Sequence, residues 1–314
     1  MRCKVHHGLR LWEPGLVMSE RPQKPKGTLT SLKKTACRDQ INATLMEDGA
    51  VIISDLFDYN IIEQINLELD PALNGTEFGV RDEEVVGQTK RLSATLRYSP
   101  TLISDVVTHQ ILIDTAESAL LDYTDTLQMM VVASEVVPGE ESQALHRDDW
   151  NWGHMRGRSH PLSIFTIIAL SEFTGTSGAT RVIPGSHLWN DVYTPSTNKK
   201  KWRDGIYEEL SLKRGLYDEL AIPALLSPGD ALTVLGTTIH GAGENKTNDF
   251  FRRALQVKYC MGWLRPPTNN YLLYPPDFAK TLPEQVQRLL GYQLEAKHLG
   301  WLEQNVDPIT LLRA

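Results

Sequence analysis

An α+β fold built on an antiparallel sandwich or barrel is what this sequence predicts, from three observations. Helical periodicity is concentrated before Leu121. Beyond it the texture changes to strand-like runs at Leu127–Val137, Pro161–Leu170, Thr180–Ile183, Ile222–Leu226, Ala231–Leu235 and Arg252–Trp263, separated by Gly, Pro and Asp turns. No helices alternate with these strands, which argues against a doubly wound parallel sheet. The 314 residues, 41% hydrophobic and 23% charged, are enough to bury a sizeable core and exclude a collagen-like, coiled-coil or largely disordered chain.

Taken in order, residues 1–28 show no helical or strand period and contain Pro14, Pro22, Pro25 and Gly27, so they are expected to be a mobile tail. Residues 1–38 carry nine Lys/Arg against two acids, a balance of +7 that leaves −14 on the rest of the chain. Glu13 and Pro14 interrupt the stretch Leu9–Met18, which is too short for a signal peptide; a basic mitochondrial presequence and a start at Met18 stay open. Residues 29–314 read as a single domain. Thr30 or Ser31 is placed to cap a helix running to about Glu47, ended by Gly49. Ala50–Ser54 reads as a buried strand. Asp58 caps a helix through Leu69 with Ile61, Ile62, Ile65 and Leu69 on one face. Residues 71–90 read as loop, Arg91–Tyr98 as a strand and Ile103–Leu121 as mainly helical. Pro283–Tyr292 reads as a late helix with its proline in the first turn, where the missing N–H costs nothing.

Composition narrows the function classes. No apolar run approaches the ~18–20 residues a spanning helix needs, so no membrane is expected. Cys3, Cys37 and Cys260 are too few and too far apart for a disulfide framework or a cysteine-rich zinc site, which favours a reducing, cytoplasmic setting. The net charge of −7 argues against a general nucleic-acid surface. There is no Gly-x-Ser-x-Gly elbow and no phosphate-binding loop, and Gly241-Ala-Gly243 lacks the context of a dinucleotide fingerprint.

The informative stretch is Gln143-Ala-Leu-His146-Arg-Asp148-Asp149, which follows a strand and the turn Pro138-Gly139. Residues i and i+2 of a strand point the same way, so His146 and Asp148 can aim an imidazole and a carboxylate at one point, while Asp149 faces away. His-x-Asp alone is weak. His240, 92 residues after Asp148 and followed by Arg252-Arg253, supplies the second imidazole. Two imidazoles and one carboxylate form the facial triad of non-haem Fe(II) oxygenases, with positions left for a bidentate 2-oxo acid and for dioxygen. An arginine beyond the distal histidine suits the remote carboxylate of that acid. Arg252 and Arg253 point to opposite faces of their strand, and only one can enter the pocket.

These residues resemble the phytanoyl-CoA dioxygenase (PhyH) family of Fe(II)/2-oxoglutarate oxygenases, in particular its fungal natural-product branch. The likeness runs from about Leu45 to Tyr292 and includes Glu47-Asp48-Gly49-Ala50, Gln143-x-x-His146-x-Asp148, Gly178-Ala-Thr-Arg-Val-Ile-Pro-Gly-Ser-His187, Pro228-Gly-Asp230, His240-Gly-x-Gly-x-Asn245 and Arg252-Arg253-Ala254. It implies a double-stranded β-helix, a cupin-like jelly-roll barrel with flanking helices. It implies His146, Asp148 and His240 as iron ligands, and Arg252, Gln143 and Thr180 as the 2-oxoglutarate pocket, with Arg253 an alternative to Arg252. It makes His187 part of a structural turn.

Trp150, Trp152 and Met155 are candidates for an apolar substrate wall beside the metal, and Arg91 for the substrate side. The implied reaction is oxidation of an unactivated C–H bond by hydroxylation, desaturation, epoxidation or rearrangement, on a polycyclic intermediate such as a meroterpenoid or alkaloid, with O2 and, in vitro, ascorbate as a reductant. An acyl-CoA 2-hydroxylase and a non-catalytic partner subunit of the same fold are the rival readings. A homodimer, or a heterodimer with a family member, is the expected assembly.

Overall fold

A computed structural model describes residues 27–78, 88–155, 160–189 and 217–313, apart from the side chains of residues 153–155. The expected basic tail lies almost wholly outside the described residues. The element order is β1 (Ser31–Lys33), α1 (Arg38–Asp48), β2 (Ala50–Ser54), α2 (Tyr59–Gly75), β3 (Lys90–Leu92), α3 (Gln110–Leu120), β4 (Leu127–Val136), β5 (Ser163–Ala169), β6 (Thr180–Val182), β7 (Ile222–Pro223), β8 (Ala231–Leu235), β9 (His240–Ala242), β10 (Arg252–Met261), and the short helices α4 (Asn270–Leu273), α5 (Pro276–Ala279) and α6 (Glu284–Leu289).

Seven strands form one sheet in the order β1-β2-β8-β5-β10-β4-β3, and three form a smaller one, β7-β6-β9. All pairings are antiparallel except β1 with β2. Both faces of the large sheet are buried. Val51, Ile53, Val131, Ala133, Leu255 and Val257 join the cluster that contains Ile62 and Ile65 of α2 and Leu112 of α3. The alternate residues Ala50, Ile52, Phe165, Leu232, Val234 and Ala254 pack instead with Val182 of the small sheet and with Phe173 and Leu226. That double burial explains why these strands read as near-continuous apolar runs rather than clean alternation. The result is a double-stranded β-helix, a jelly-roll barrel with helices packed outside its larger sheet.

Several sequence expectations need correction. The helix foreseen from Thr30 or Ser31 starts only at Arg38, and Ser31–Lys33 is a strand. Here tertiary pairing wins over a local cap: Ser31 lies opposite Ile52, and the Thr30 hydroxyl donates to Asp48 Oδ2 at 2.7 Å. Helix α2 runs beyond Leu69 to Gly75, past Pro71, into the foreseen loop. Of the strand foreseen at Arg91–Tyr98, only the first residues pair; a 3-10 turn follows at Thr95–Arg97. The helical stretch before Leu121 is split into a π turn at Leu102–Val106 and α3. Gly49 does end α1: at φ +72° its N–H bonds Leu45 O at 2.9 Å. A Cβ there would collide with the His187 ring and the Thr238 hydroxyl, so both the conformation and the close approach require glycine.

Candidate metal centre and its cavity

Three side chains converge between the two sheets. His240 opens β9, and the backbone of His146 pairs with it in both directions, each N–H donating to the other's carbonyl at 2.9 Å. Gln143 N–H donates to Ala242 O at 2.9 Å, so the segment before His146 lies along the open side of β9. Asp148 does not continue that extended run. It begins a 3-10 segment, Asp148–Met155, and reaches the same point because the chain turns, not because of strand alternation.

His146 Nε2 is 3.6 Å and His240 Nε2 3.7 Å from Asp148 Oδ1. One ligand atom from each of the three lies within 4.8 Å of the others. In both histidines Nδ1 sits 3.0 Å from the carbonyl two residues earlier, Ala144 O and Thr238 O. Those carbonyls fix Nδ1 as the protonated nitrogen and leave each Nε2 lone pair facing the common point. Two imidazoles and one carboxylate, held at mutual ligand spacing, fit a divalent iron.

The electrostatics agree with that donor set. Burial opposes the Asp148 charge, but the Lys258 ammonium and the two imidazoles hold its carboxyl well below the usual range. Burial, followed by the neighbouring His146, lowers His240 to about 4, so its ring is neutral at physiological pH. Asp149 turns away as expected. Its carboxylate accepts from Leu162 N–H and the Ser163 hydroxyl, each at 2.7 Å, and so fastens the metal loop to β5. Burial raises Asp149 to about 6.

The triad stands at one side of a cavity of about 360 Å³. Gln143, Thr180, Arg91 and Arg252 all line it, together with Met130, Val132, Val136, Ile167 and Ala254 and the polar Ser93, Ser134, Gln256 and Thr268. Arg252 is buried, with Nε donating to Gly178 O at 3.0 Å and its guanidinium 4.6 Å from the centre of the Phe173 ring. Among the described residues no carboxylate pairs with it. Burial, and then the nearby Arg91 charge, lower it to about 9, which still leaves it charged near neutrality. Arg253 points the other way, ion-paired with Asp70 at 2.6 Å and Glu135 at 2.8 Å, and is fully engaged there.

Of the foreseen apolar wall of Trp150, Trp152 and Met155, neither tryptophan is among the described residues that line the cavity. Trp150 packs with Leu145, Ile183, Trp189 and Ile239 in a separate small core. Trp152 donates its indole N–H to Arg265 O at 3.0 Å and packs against the main core. Met155 lies among the side chains that are not described. His187 is buried, with Nε2 3.0 Å from Met46 O, and ties its turn to α1 as the structural reading expected.

Sequence reasoning missed Lys258. Its ammonium is buried and lies 2.6 Å from Asp148 Oδ2. The signal was conditional: only once Arg252 is known to face inward does counting by two along β10 put Ala254, Gln256 and Lys258 on the same face.

Comparison with known proteins gives a consistent picture. The family model described as phytanoyl-CoA dioxygenase (PhyH) matches residues 45–254. The multifunctional dioxygenase ausE of Penicillium brasilianum is 30% identical over 276 residues, covering 84% of this chain and 86% of its own. The dioxygenase swnH1 of Metarhizium robertsii is also 30% identical, over 303 residues, covering 90% and 92%. The iron/alpha-ketoglutarate-dependent dioxygenase penM of Penicillium thymicola is 28% identical over 272 residues, covering 82% and 80%. Among solved structures, the epimerase SnoN in complex with Fe3+, alpha ketoglutarate and nogalamycin RO shares the fold, with a TM-score of 0.52, 19% identity, and coverage of 73% and 86%.

Proposed function

The chain belongs to the phytanoyl-CoA dioxygenase family, and from that premise we propose that its cavity takes a polycyclic, oxygen-bearing secondary-metabolite intermediate and directs oxidation to one unactivated C–H bond. The protein is an iron- and 2-oxoglutarate-dependent dioxygenase. When bound, iron and 2-oxoglutarate supply an oxidant able to break such a bond, with succinate and CO2 as co-products.

In this reading the chain's own residues do the holding and aiming. His146 and His240 offer Nε2 and Asp148 offers Oδ1 to the iron. Arg252 receives the far carboxylate of 2-oxoglutarate, since a buried guanidinium matches a carboxylate bidentately. Thr180 and Gln143 flank that pocket. The Gln143 side chain is itself braced, its Oε1 accepting from Ala242 N–H at 3.2 Å. Met130, Val132 and Ile167 give the substrate skeleton an apolar wall, and Ser93, Ser134, Gln256 and Thr268 give its oxygen substituents partners. Arg91 stands on the substrate side. The acidic body, −14 outside residues 1–38, offers little attraction to the phosphates of an acyl-CoA.

The observation that carries this reading is the convergence of three donors beside a cavity in which, among the described residues, no carboxylate pairs with the buried Arg252. The test is succinate release with purified protein, Fe(II) and 2-oxoglutarate, offered either a panel of polycyclic terpenoid and alkaloid intermediates or phytanoyl-type thioesters. Coupled turnover is expected with members of the first group. Turnover confined to the thioesters would replace the substrate class. His146→Ala and His240→Ala should each lose iron and substrate-dependent succinate while retaining a native circular dichroism spectrum, and Asp148→Ala should lose both together with some stability, since it leaves Lys258 buried without its carboxylate; turnover near wild type in any of them would overturn the ligand assignment.

A further inference from the structure

Asp148 shows its two oxygens to different neighbours. Oδ1 lies 3.6 and 3.7 Å from the two imidazole Nε2 atoms, while Oδ2 is ion-paired with Lys258 Nζ at 2.6 Å. The lysine cannot easily leave. It is buried in the middle of β10, which pairs on both sides, with Met130 of β4 opposite it on one flank and Phe165 of β5 on the other. Its ammonium is 5.7 Å from the Phe165 ring centre and 6.0 Å from that of Trp152. A buried ammonium in such surroundings needs its carboxylate partner, and the carboxylate needs the ammonium.

We infer that Lys258 is a positioning residue that holds Asp148 Oδ2 away from the metal, so that the carboxylate offers one oxygen only and the coordination positions needed by 2-oxoglutarate stay free. The inference rests on the proposed ligand set and goes beyond it. A carboxylate released from its lysine is free to turn and chelate with both oxygens, and a second oxygen on the metal competes with the incoming 2-oxo acid. Lys258 would therefore govern not whether metal binds but how many donors the protein contributes once it has.

The test uses the full-length protein loaded with cobalt(II) under anaerobic conditions, so that no turnover is involved. Cobalt(II) affinity, its visible absorption spectrum and the affinity of the loaded protein for 2-oxoglutarate are measured for wild type, Lys258→Met and Lys258→Arg. Expected for Lys258→Met are cobalt(II) binding at least as tight as wild type, a changed visible spectrum before 2-oxoglutarate is added, and 2-oxoglutarate binding weakened by about tenfold or more, the scale on which groups that orient metal ligands act. Lys258→Arg, which keeps a cation on the carboxylate, should restore the spectrum and most of the affinity. If the methionine variant does not fold, Lys258→Gln, whose amide is too short to reach Oδ2, carries the same expectation. A Lys258→Met protein that is merely less stable, with wild-type spectrum and 2-oxoglutarate affinity in its loaded fraction, overturns the inference, as does failure of both variants to fold. Failure of wild type to bind metal and 2-oxoglutarate together would instead remove the proposed ligand set.

Discussion

Adjacent arginines on one strand meet opposite fates at the residue scale, and the difference can be measured. Arg252 faces the cavity without a carboxylate partner among the described residues, whereas Arg253 is spent on Glu135 and Asp70. Losing a buried cation that binds a carboxylate costs roughly 2–5 kcal/mol of affinity. Arg252→Ala should therefore raise the 2-oxoglutarate requirement by well over tenfold. Arg253→Ala leaves the buried Glu135 only the Lys90 ammonium, 3.9 Å from its other oxygen, and should cost roughly 3 kcal/mol of stability or somewhat less with little change in that requirement. Denaturant titration and succinate kinetics on the two variants separate these effects. The reverse pattern would show that the wrong arginine has been assigned to the cosubstrate.

At the scale of elements, the turn that contains His187 is pinned to the end of α1. The ring sits against Gly49, its Nε2–H donates to Met46 O at 3.0 Å, and burial lowers its pKa to about 4. In an unfolded chain a histidine titrates near 6.5. The unfolded state thus takes up the proton first as pH falls, so this group's contribution is whole above about 6.5 and is lost progressively toward 4. The loss at pH 4 amounts to roughly 3 kcal/mol. In the metal-free protein His240 behaves the same way, and Asp149, raised to about 6, acts in the opposite sense. Comparing wild type with His187→Gln cancels those shared terms. The variant should show a flatter decline in the denaturation midpoint between pH 6.5 and 4; parallel profiles would mean that the ring is not buried neutral.

On the scale of the whole molecule, the proposed ligand site bridges the barrel. His240 and Thr180 come from the small sheet, Arg252 and Lys258 from the large one, and Asp148 from the loop between β4 and β5. Anything that binds all of these at once binds the folded state alone. Iron with 2-oxoglutarate at 100 times its dissociation constant should add about 2.7 kcal/mol of stability. Anaerobic thermal unfolding should show a midpoint that rises with 2-oxoglutarate concentration only when metal is present, and that falls back on adding a chelator. A midpoint indifferent to both would mean that the two sheets are not cross-linked by ligand. Among the described residues no helix is long and apolar enough to cross a membrane.

Much of the fold and of the candidate site is legible in the sequence, and the limit has a physical cause. The general order of helices before strands and the stop at Gly49 follow from residue chemistry and local spacing, which the chain carries with it wherever it folds; the grouping of His146, Asp148 and His240 with a downstream arginine was legible from their chemistry and the family resemblance, although a turn and not strand alternation brings Asp148 to the other two. What depends on the phase of a strand does not. The run Arg252–Met261 is largely buried on both faces, so its pattern alone fails to say which alternate residues look inward. Pairing with β4 and β5 decided that Arg252, Ala254, Gln256 and Lys258 share the side that faces the cavity and Asp148 and that Arg253 does not. The same kind of long-range contact made Ser31–Lys33 a strand, turned Trp150 into a separate core, and set a lysine beside Asp148 that lies 110 residues away in the chain.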